Sequence, residues 1–429
     1  MKISDFGKKL TAKTGILQLM DDIGRPLPEG IPSYRLGGGN PARIQEVEAI
    51  FRSQMGKMLE NDDIFERTLG LYDSPQGKHS FLENLANLFC SEYGWDITAE
   101  NIMLTSGSQS AAFYVFNLFS GERTEKNGTT TTQKILFPLV PEYVGYADQG
   151  VAPDTFVSIP PKCEYYADNT FKYFIDFKLL EDYLAKNNNV GAMCVSRPTN
   201  PTGNVLTNEE IKHLDSLAQK YAIPLFIDNA YGMPFPHIVF TDEASPMFSE
   251  NFILGMSLSK LGLPSLRTGI IIAQKEIIEL LSSINAIAAL APTGFGPELV
   301  NSIIEDKSIL AIAQETIKPY YETKSQNAQK WIHELFAGTN YSIHKSEGAL
   351  FLWLYLGDLK ITSMKLYAKL KERGVITVPG EYFFFGLQDG TQHEHFDKCL
   401  RINYSCDKDE VYGGLKIIAE EYKKNRILK

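Results

Sequence analysis

Between residues 81 and 93 the apolar side chains Phe81, Leu82, Leu85, Leu88 and Phe89 recur at the three-and-four spacing of one helix face, which predicts a helix there. A short apolar run at 101–104 follows and breaks into Thr105-Ser106-Gly107-Ser108, as a strand ending in a turn does. The alternation continues down the chain. Helical spacing covers 110–119 and 209–221, and apolar runs suited to strands occupy 135–138, 191–195, 224–227, 253–256 and 268–273. Short strands separated by helices predict an α/β fold, with a mostly parallel central sheet covered by helices on both faces.

The pattern changes toward the C-terminus. Residues 312–336 read as one long helix, 349–356 alternate like a half-exposed strand, and 362–373 and 409–424 are helical with a strand at 400–404 between them. This predicts a smaller α+β domain from about residue 315. The expected organisation is an N-terminal arm with part of the small domain in 1–60, a large domain in 61–314, and the small C-terminal domain in 315–429. The polar patch KNGTTTTQ at 126–133 reads as a surface loop before a strand.

Composition narrows the classes. The formal net charge is −10, whereas nucleic acid and anionic membranes select basic faces, so neither is an expected partner. The five cysteines form no CxxC pair, which suits a reducing compartment. The first residues show no apolar signal core, and the longest apolar stretches fall short of the roughly 20 residues of a membrane span. A cytoplasmic protein is expected.

Candidate chemistry collects at the predicted strand ends. Lys260 closes Ser257-Leu258-Ser259-Lys260 directly after a strand, with Arg267 downstream. A lysine there is either a solvated charge or an amine that bonds a carbonyl, and the second role needs a buried, cation-rich setting. Ser257 and Arg267 are suited to a phosphate nearby. Asp228, in Ile227-Asp228-Asn229-Ala230-Tyr231, is either a turn residue or a carboxylate paired with a protonated pyridine nitrogen. Tyr231 could then donate to a ring's phenolic oxygen. Arg197-Pro198-Thr199-Asn200-Pro201-Thr202-Gly203 is either a plain turn or a rigid one that aims the Asn200 amide at a ligand.

Gly107, Ser108 and Gln109 open a predicted helix, where amides and hydroxyls cap the helix or bind an anion. Neither GxxxxGK[ST] nor GxGxxG occurs, which argues against a nucleotide as that anion. Tyr143 could stack on a planar ring and Tyr72 could bond a phosphate. Arg401 in a C-terminal strand is either an edge residue or a clamp on a substrate carboxylate, with amides of the loop containing Gly38 and Gly39 beside it. His393-Glu394-His395 lacks metal-site spacing, and no metal is expected.

Taken in order, these motifs resemble the fold-type-I pyridoxal-phosphate enzymes of the aspartate aminotransferase superfamily. NPTG and SLSK with a downstream arginine carry the superfamily likeness. LGGGNPA and IDNAYGMPFP narrow it to the bacterial valine–pyruvate aminotransferases. The resemblance spans the chain and implies pyridoxal 5′-phosphate as cofactor. It implies ping-pong transamination between an aliphatic amino acid (valine, alanine) and a 2-oxo acid (pyruvate, 2-oxoisovalerate).

It also implies a role for each site residue. Lys260 is the Schiff-base lysine and proton carrier, Asp228 the partner of the pyridine nitrogen, and Tyr231 and Asn200 the partners of the phenolic oxygen. Gly107, Ser108, Gln109, Ser257 and Arg267 hold the phosphate, and Tyr143 stacks on the ring. Arg401, with Asn200, Gly38 and Gly39, binds the substrate carboxylate. A homodimer with shared sites is implied, Tyr72 reaching the neighbour's phosphate. Within the same chemistry, an alanine or aromatic amino acid aminotransferase and a C–S lyase remain alternatives. A DNA-binding regulator is disfavoured by the short segment ahead of the glycine loop and by the charge.

Overall fold

The computed structural model describes residues 2–12, 14–24, 30–61, 63–388 and 393–427. Its centre is an eight-stranded sheet in the order Ile102–Thr105, Gly269–Ile272, Phe252–Ser257, Leu225–Asp228, Val190–Ser196, Thr130–Phe137 and Gly121–Thr124, with Phe156–Ser158 also paired to Thr130–Phe137. The four neighbours from Phe252–Ser257 to Thr130–Phe137 pair in parallel. Gly269–Ile272 is antiparallel to both of its neighbours. The strands at 102–105, 225–228, 252–257 and 269–272 are buried at every position. Continuous Val, Ile, Leu and Phe runs, rather than alternation, are what a sheet covered on both faces requires.

The helices match the predicted periodicity. His79–Tyr93 buries Phe81, Leu82, Leu85, Leu88 and Phe89 and ends on Gly94 at φ 66°, a left-handed cap that glycine adopts without strain. Asn208–Lys220 starts with a capping box between Thr207 and Glu210.

Three expectations are corrected. The 126–133 segment is a hairpin rather than a loop: Gly121–Thr124 pairs antiparallel with Thr130–Phe137, and Gly128 turns the chain at φ 84°. The Asn127-Gly128 pair and the β-branched threonines after it are the cause. The strand expected at 349–356 is Phe351–Leu356, and it is buried almost throughout instead of half-exposed. It lies inside a second sheet, ordered Val378–Pro379, Cys399–Asn403, Phe351–Leu356, Tyr341–His344, Thr170–Phe174, Lys162–Tyr165. The long helix at 312–336 is interrupted by a wider turn over Ile312–Ile317 before Lys318–Leu335. Pro319 lacks the N–H that would continue the regular ladder.

The second sheet takes its last two strands from a hairpin at 162–174, within the segment expected to form the large domain. The N-terminal segment meets the C-terminal part: Tyr34–Arg35 pairs with Val375–Ile376, and Asp22 accepts the Tyr367 hydroxyl at 2.6 Å. Among the described residues no helix is long and apolar enough to cross a membrane.

Candidate active site

Parallel strands release their following turns at one edge of the sheet, and that edge is where open α/β sheets bind ligands. Here the strand ends deliver Ser106–Gln109, Tyr143, Asn200, Asp228–Tyr231 and Lys260 to the same edge. Gly269–Ile272 runs the other way, so its start brings Arg267 there too. Lys260, Asp228, Tyr231, Asn200 and Tyr143 line one cavity of about 230 Å³. Ser108, Gln109 and Arg267 share it, and Gly39 and Arg401 complete the wall from the N-terminal loop and the second sheet.

Lys260 sits in a tight helical turn, Ser259–Leu261, with its Nζ 2.6 Å from the Gly39 carbonyl and 5.3 Å from the centre of the Tyr231 ring. Burial, then the guanidinium charges of Arg401 and Arg267, lower its amine to about 8 against the opposing pull of Asp228. A fraction of the amine is thus uncharged near neutral pH, as a nucleophile or base must be.

Asp228 ends its strand buried. Its Oδ1 accepts the Ala230 amide at 3.0 Å and its Oδ2 accepts the Tyr146 hydroxyl. Burial raises its carboxyl, while Tyr146, Ala230 and Lys260 oppose the rise. Tyr146 was not among the predicted residues. It stands three positions after Tyr143 in the same turn, and that spacing was the available signal.

Arg401 is 1% exposed and lies in the Cys399–Asn403 strand. Its Nη1 donates to Asn200 Oδ1 at 2.7 Å and its Nη2 to the Gly37 carbonyl at 2.6 Å. The guanidinium lies 4.2 Å from the Phe351 ring centre. Burial lowers it to about 10, still charged at neutral pH. A guanidinium has five N–H donors, and Nε of Arg401 is buried without a partner. Asn200, its oxygen taken by Arg401, also bonds the Tyr231 hydroxyl.

Gly107 adopts φ 91°, and a Cβ there would lie 2.3 Å from an Arg267 terminal nitrogen. Glycine is therefore required for the guanidinium to approach the start of the Ser108–Phe119 helix.

The remaining predicted residues make contacts within the chain that the sequence did not specify. The glycine loop was expected to present amides, but its carbonyls carry its bonds to the site: Gly37 to Arg401, Gly38 to Asn403 Nδ2 at 2.6 Å and Gly39 to Lys260. The Ser257 hydroxyl is 3.1 Å from the Ser259 amide and 3.4 Å from the Thr268 carbonyl, so it braces the lysine turn. Tyr72 is 85% exposed and does not line the cavity of its own chain. His395 is enclosed, its ring nitrogens each 2.6 Å from the Tyr165 and Tyr173 hydroxyls. Ile16, Leu19 and Met20 of the Gly15–Gly24 helix line the cavity and were not predicted.

The comparisons with known proteins agree with this geometry. The model of the aminotransferase class I and II family matches residues 58–418. The chain is 46% identical over 423 residues to the valine–pyruvate aminotransferase of Escherichia coli (strain K12), covering 98% of each sequence. The crystal structure of valine-pyruvate aminotransferase from Salmonella typhimurium LT2 is 45% identical and superposes with a TM-score of 0.85, over 96% of this chain and 99% of that one. A structure from Psychrobacter arcticum 273-4, 42% identical, superposes with a TM-score of 0.94 over 99% of both chains. With the match running through both sheets and the cavity between them, the chain belongs to the class I and II aminotransferases, a fold-type-I family that works with pyridoxal 5′-phosphate.

Proposed function

We propose that this enzyme moves the amino group of an aliphatic amino acid, valine or alanine, to a 2-oxo acid, pyruvate or 2-oxoisovalerate. The observation that carries this reading is a buried amine, Lys260, and a buried carboxylate, Asp228, converging on one cavity beside an incompletely partnered Arg401. That the relatives at 46% and 45% identity are valine–pyruvate aminotransferases supports valine and pyruvate as the pair.

The cavity's donor set suits pyridoxal phosphate. The Ser108 and Gln109 amides that open the Ser108–Phe119 helix have no intrahelical acceptor, and with the Ser108 hydroxyl and Arg267 they make an anion site for the phosphate. Asp228 keeps lone pairs free beyond its two bonds, enough to hold a protonated pyridine nitrogen. Tyr231 and Asn200 would hold the phenolic oxygen, and Tyr143 would lie against the ring. Once bound, the cofactor supplies a carbonyl for the amino group and an electron-withdrawing ring for the α-carbon.

Lys260 would hold the cofactor through its uncharged amine, and its free Nζ would take the substrate's α-proton and return it. Arg401 binds the α-carboxylate through the guanidinium hydrogens that Asn200 and Gly37 leave free. Amino acid and 2-oxo acid both carry that carboxylate, so one clamp serves both halves of a ping-pong cycle. Ile16, Leu19 and Met20 offer an apolar surface to an aliphatic side chain.

A second copy of the chain is the expected partner. Leu69, Leu71 and Tyr72 are exposed, as are Ile287 and Leu290, and Asn285 bonds the Pro75 carbonyl at 2.7 Å, tying the two segments together. An apolar patch of this kind suits an interface, from which Tyr72 reaches the neighbour's phosphate. A fully active monomer in light scattering at assay concentration would refute this. For the reaction itself, ¹⁵N-valine and pyruvate are expected to give ¹⁵N-alanine, with parallel double-reciprocal lines. Release of ¹⁵N-ammonia without an acceptor would overturn transamination in favour of elimination.

A further inference from the structure

Glu142 carries a buried carboxyl that the reaction as assigned leaves unused, and it is 2% exposed. Its Oε1 accepts the Ser196 amide at 2.8 Å and its Oε2 accepts the Ser196 hydroxyl at 2.6 Å. The same Oε2 lies 3.1 Å from the Tyr143 amide. The Glu142 amide donates to the Phe383 carbonyl at 3.0 Å. Each bond ends at a wall of the site. Ser196 and Tyr143 line the cavity, Ser196 is paired in register with Asp228, and the Phe383 ring centre lies 5.5 Å from the Arg401 guanidinium.

We propose that Glu142 is a positioning residue for the reaction, bracing the Tyr143 turn against the Ser196–Asp228 strand pair so that the cavity keeps its width. The inference rests on the reading of that cavity as the pyridoxal-phosphate site. The titratable groups facing Glu142 are Asp228 on the adjacent strand, Cys194 on the Val190–Ser196 strand and Tyr146 on the following turn. The Gly380–Phe383 turn presents its Phe383 carbonyl. Burial pushes the Glu142 carboxyl up to about 7, the Ser196 and Tyr143 donors opposing the rise and the Asp228 charge adding to it. Glu142 is therefore neutral below that pH and anionic above it, two strands' width or less from the carboxylate that faces the cavity. Glutamine keeps an oxygen for the Ser196 amide, and the Ser196 hydroxyl can accept from its amide nitrogen, so it preserves the strand end of the brace without titrating and gives up only the 3.1 Å bond from the Tyr143 amide. Alanine removes the brace.

The test compares wild type, Glu142→Gln and Glu142→Ala as holoenzymes by three readouts. These are the pyridoxal-phosphate dissociation constant, kcat and KM taken separately, and the pH titration of the visible band. A wild-type band that responds to valine establishes the underlying reading, and its absence is a failure of that reading rather than of this inference. Glu142→Ala is expected to weaken cofactor binding and lower kcat/KM by about a hundredfold, through kcat more than KM. Glu142→Gln is expected to stay within about fivefold of wild type at acid pH and to lack the inflection near pH 7 expected of wild type. A glutamine variant as impaired as the alanine variant, or one with the inflection intact, overturns the proposal, as does an alanine variant of wild-type affinity and kcat/KM. If Glu142→Ala fails to fold, the glutamine comparison decides alone.

Discussion

Lys260→Ala is expected to lower turnover of valine with pyruvate by about 10⁴-fold or more, because one amine performs two tasks that no neighbour can take over. The other basic side chains lining the cavity are those of Arg401 and Arg267, and a guanidinium stays protonated. The Tyr231 hydroxyl is pushed far above its ordinary range by burial, which removes it as a base. Asp228 accepts the Tyr146 hydroxyl and the Ala230 amide, and in the proposed site its remaining lone pairs hold the pyridine nitrogen. Loss of the lysine also frees the Gly39 carbonyl, a minor packing change at a wall that already faces the cavity. The variant should therefore fold and still bind the cofactor. Stopped-flow observation of the valine half-reaction measures the loss directly. Turnover within tenfold of wild type in a clean preparation would remove Lys260 from the chemistry.

Arg401→Ala is the second large effect. Removing one member of a buried charged pair costs about 2–5 kcal/mol, so KM for valine and for pyruvate should both rise by two to three orders of magnitude on that scale. The rise should appear for both substrates because both present a carboxylate. Part of the loss comes from the protein, since Asn200 Oδ1 and the Gly37 carbonyl lose their donors inside the site. Arg401→Lys should recover little of it. An ammonium on a flexible stem cannot reach two acceptors and a carboxylate at once, nor lie flat on Phe351 as the guanidinium does at 4.2 Å. Steady-state kinetics with cofactor saturation separates this from cofactor loss. An unchanged KM for both substrates would place the carboxylate elsewhere.

The elements that were legible in the sequence are those where one local rule dominated. Buried parallel strands must be apolar throughout, so 191–195, 224–227 and 253–256 stood out, and the residues that follow them at the sheet edge were found with them. Asn200, Asp228 and Lys260 are separated by tens of residues in sequence, yet each lies at a strand's last residue or within four residues of it. Where two rules competed, the reading failed. Polar composition at 126–133 masked the Asn127-Gly128 turn and its threonines. The apparent alternation at 349–356 suggested an exposed face, but a neighbouring strand and the packing of Phe351 and Trp353 bury both sides. The hairpin at 162–174 joins the second sheet through parallel pairing with residues 343–344, a long-range contact that no local pattern encodes.

The site shows the same division. Tyr146 and Glu142 act through Asp228 and Ser196, so their importance exists only once the strands are paired. Asn403 holds the Gly38 carbonyl from two residues beyond Arg401, on the same face of its strand. The glycine loop was located correctly as a neighbour of Arg401, but whether carbonyls or amides face a partner depends on backbone orientation, which residue identity does not determine. The Gly15–Gly24 helix lacked a signal because its apolar side chains resemble those of any docked helix.

The visible absorption spectrum of the purified protein with pyridoxal phosphate tests the central claim most directly, recorded before and after valine and again after pyruvate. The account predicts a band that Lys260 creates, that valine removes, and that pyruvate restores. No band after incubation with the cofactor, or a band identical in the Lys260→Ala variant, would contradict it.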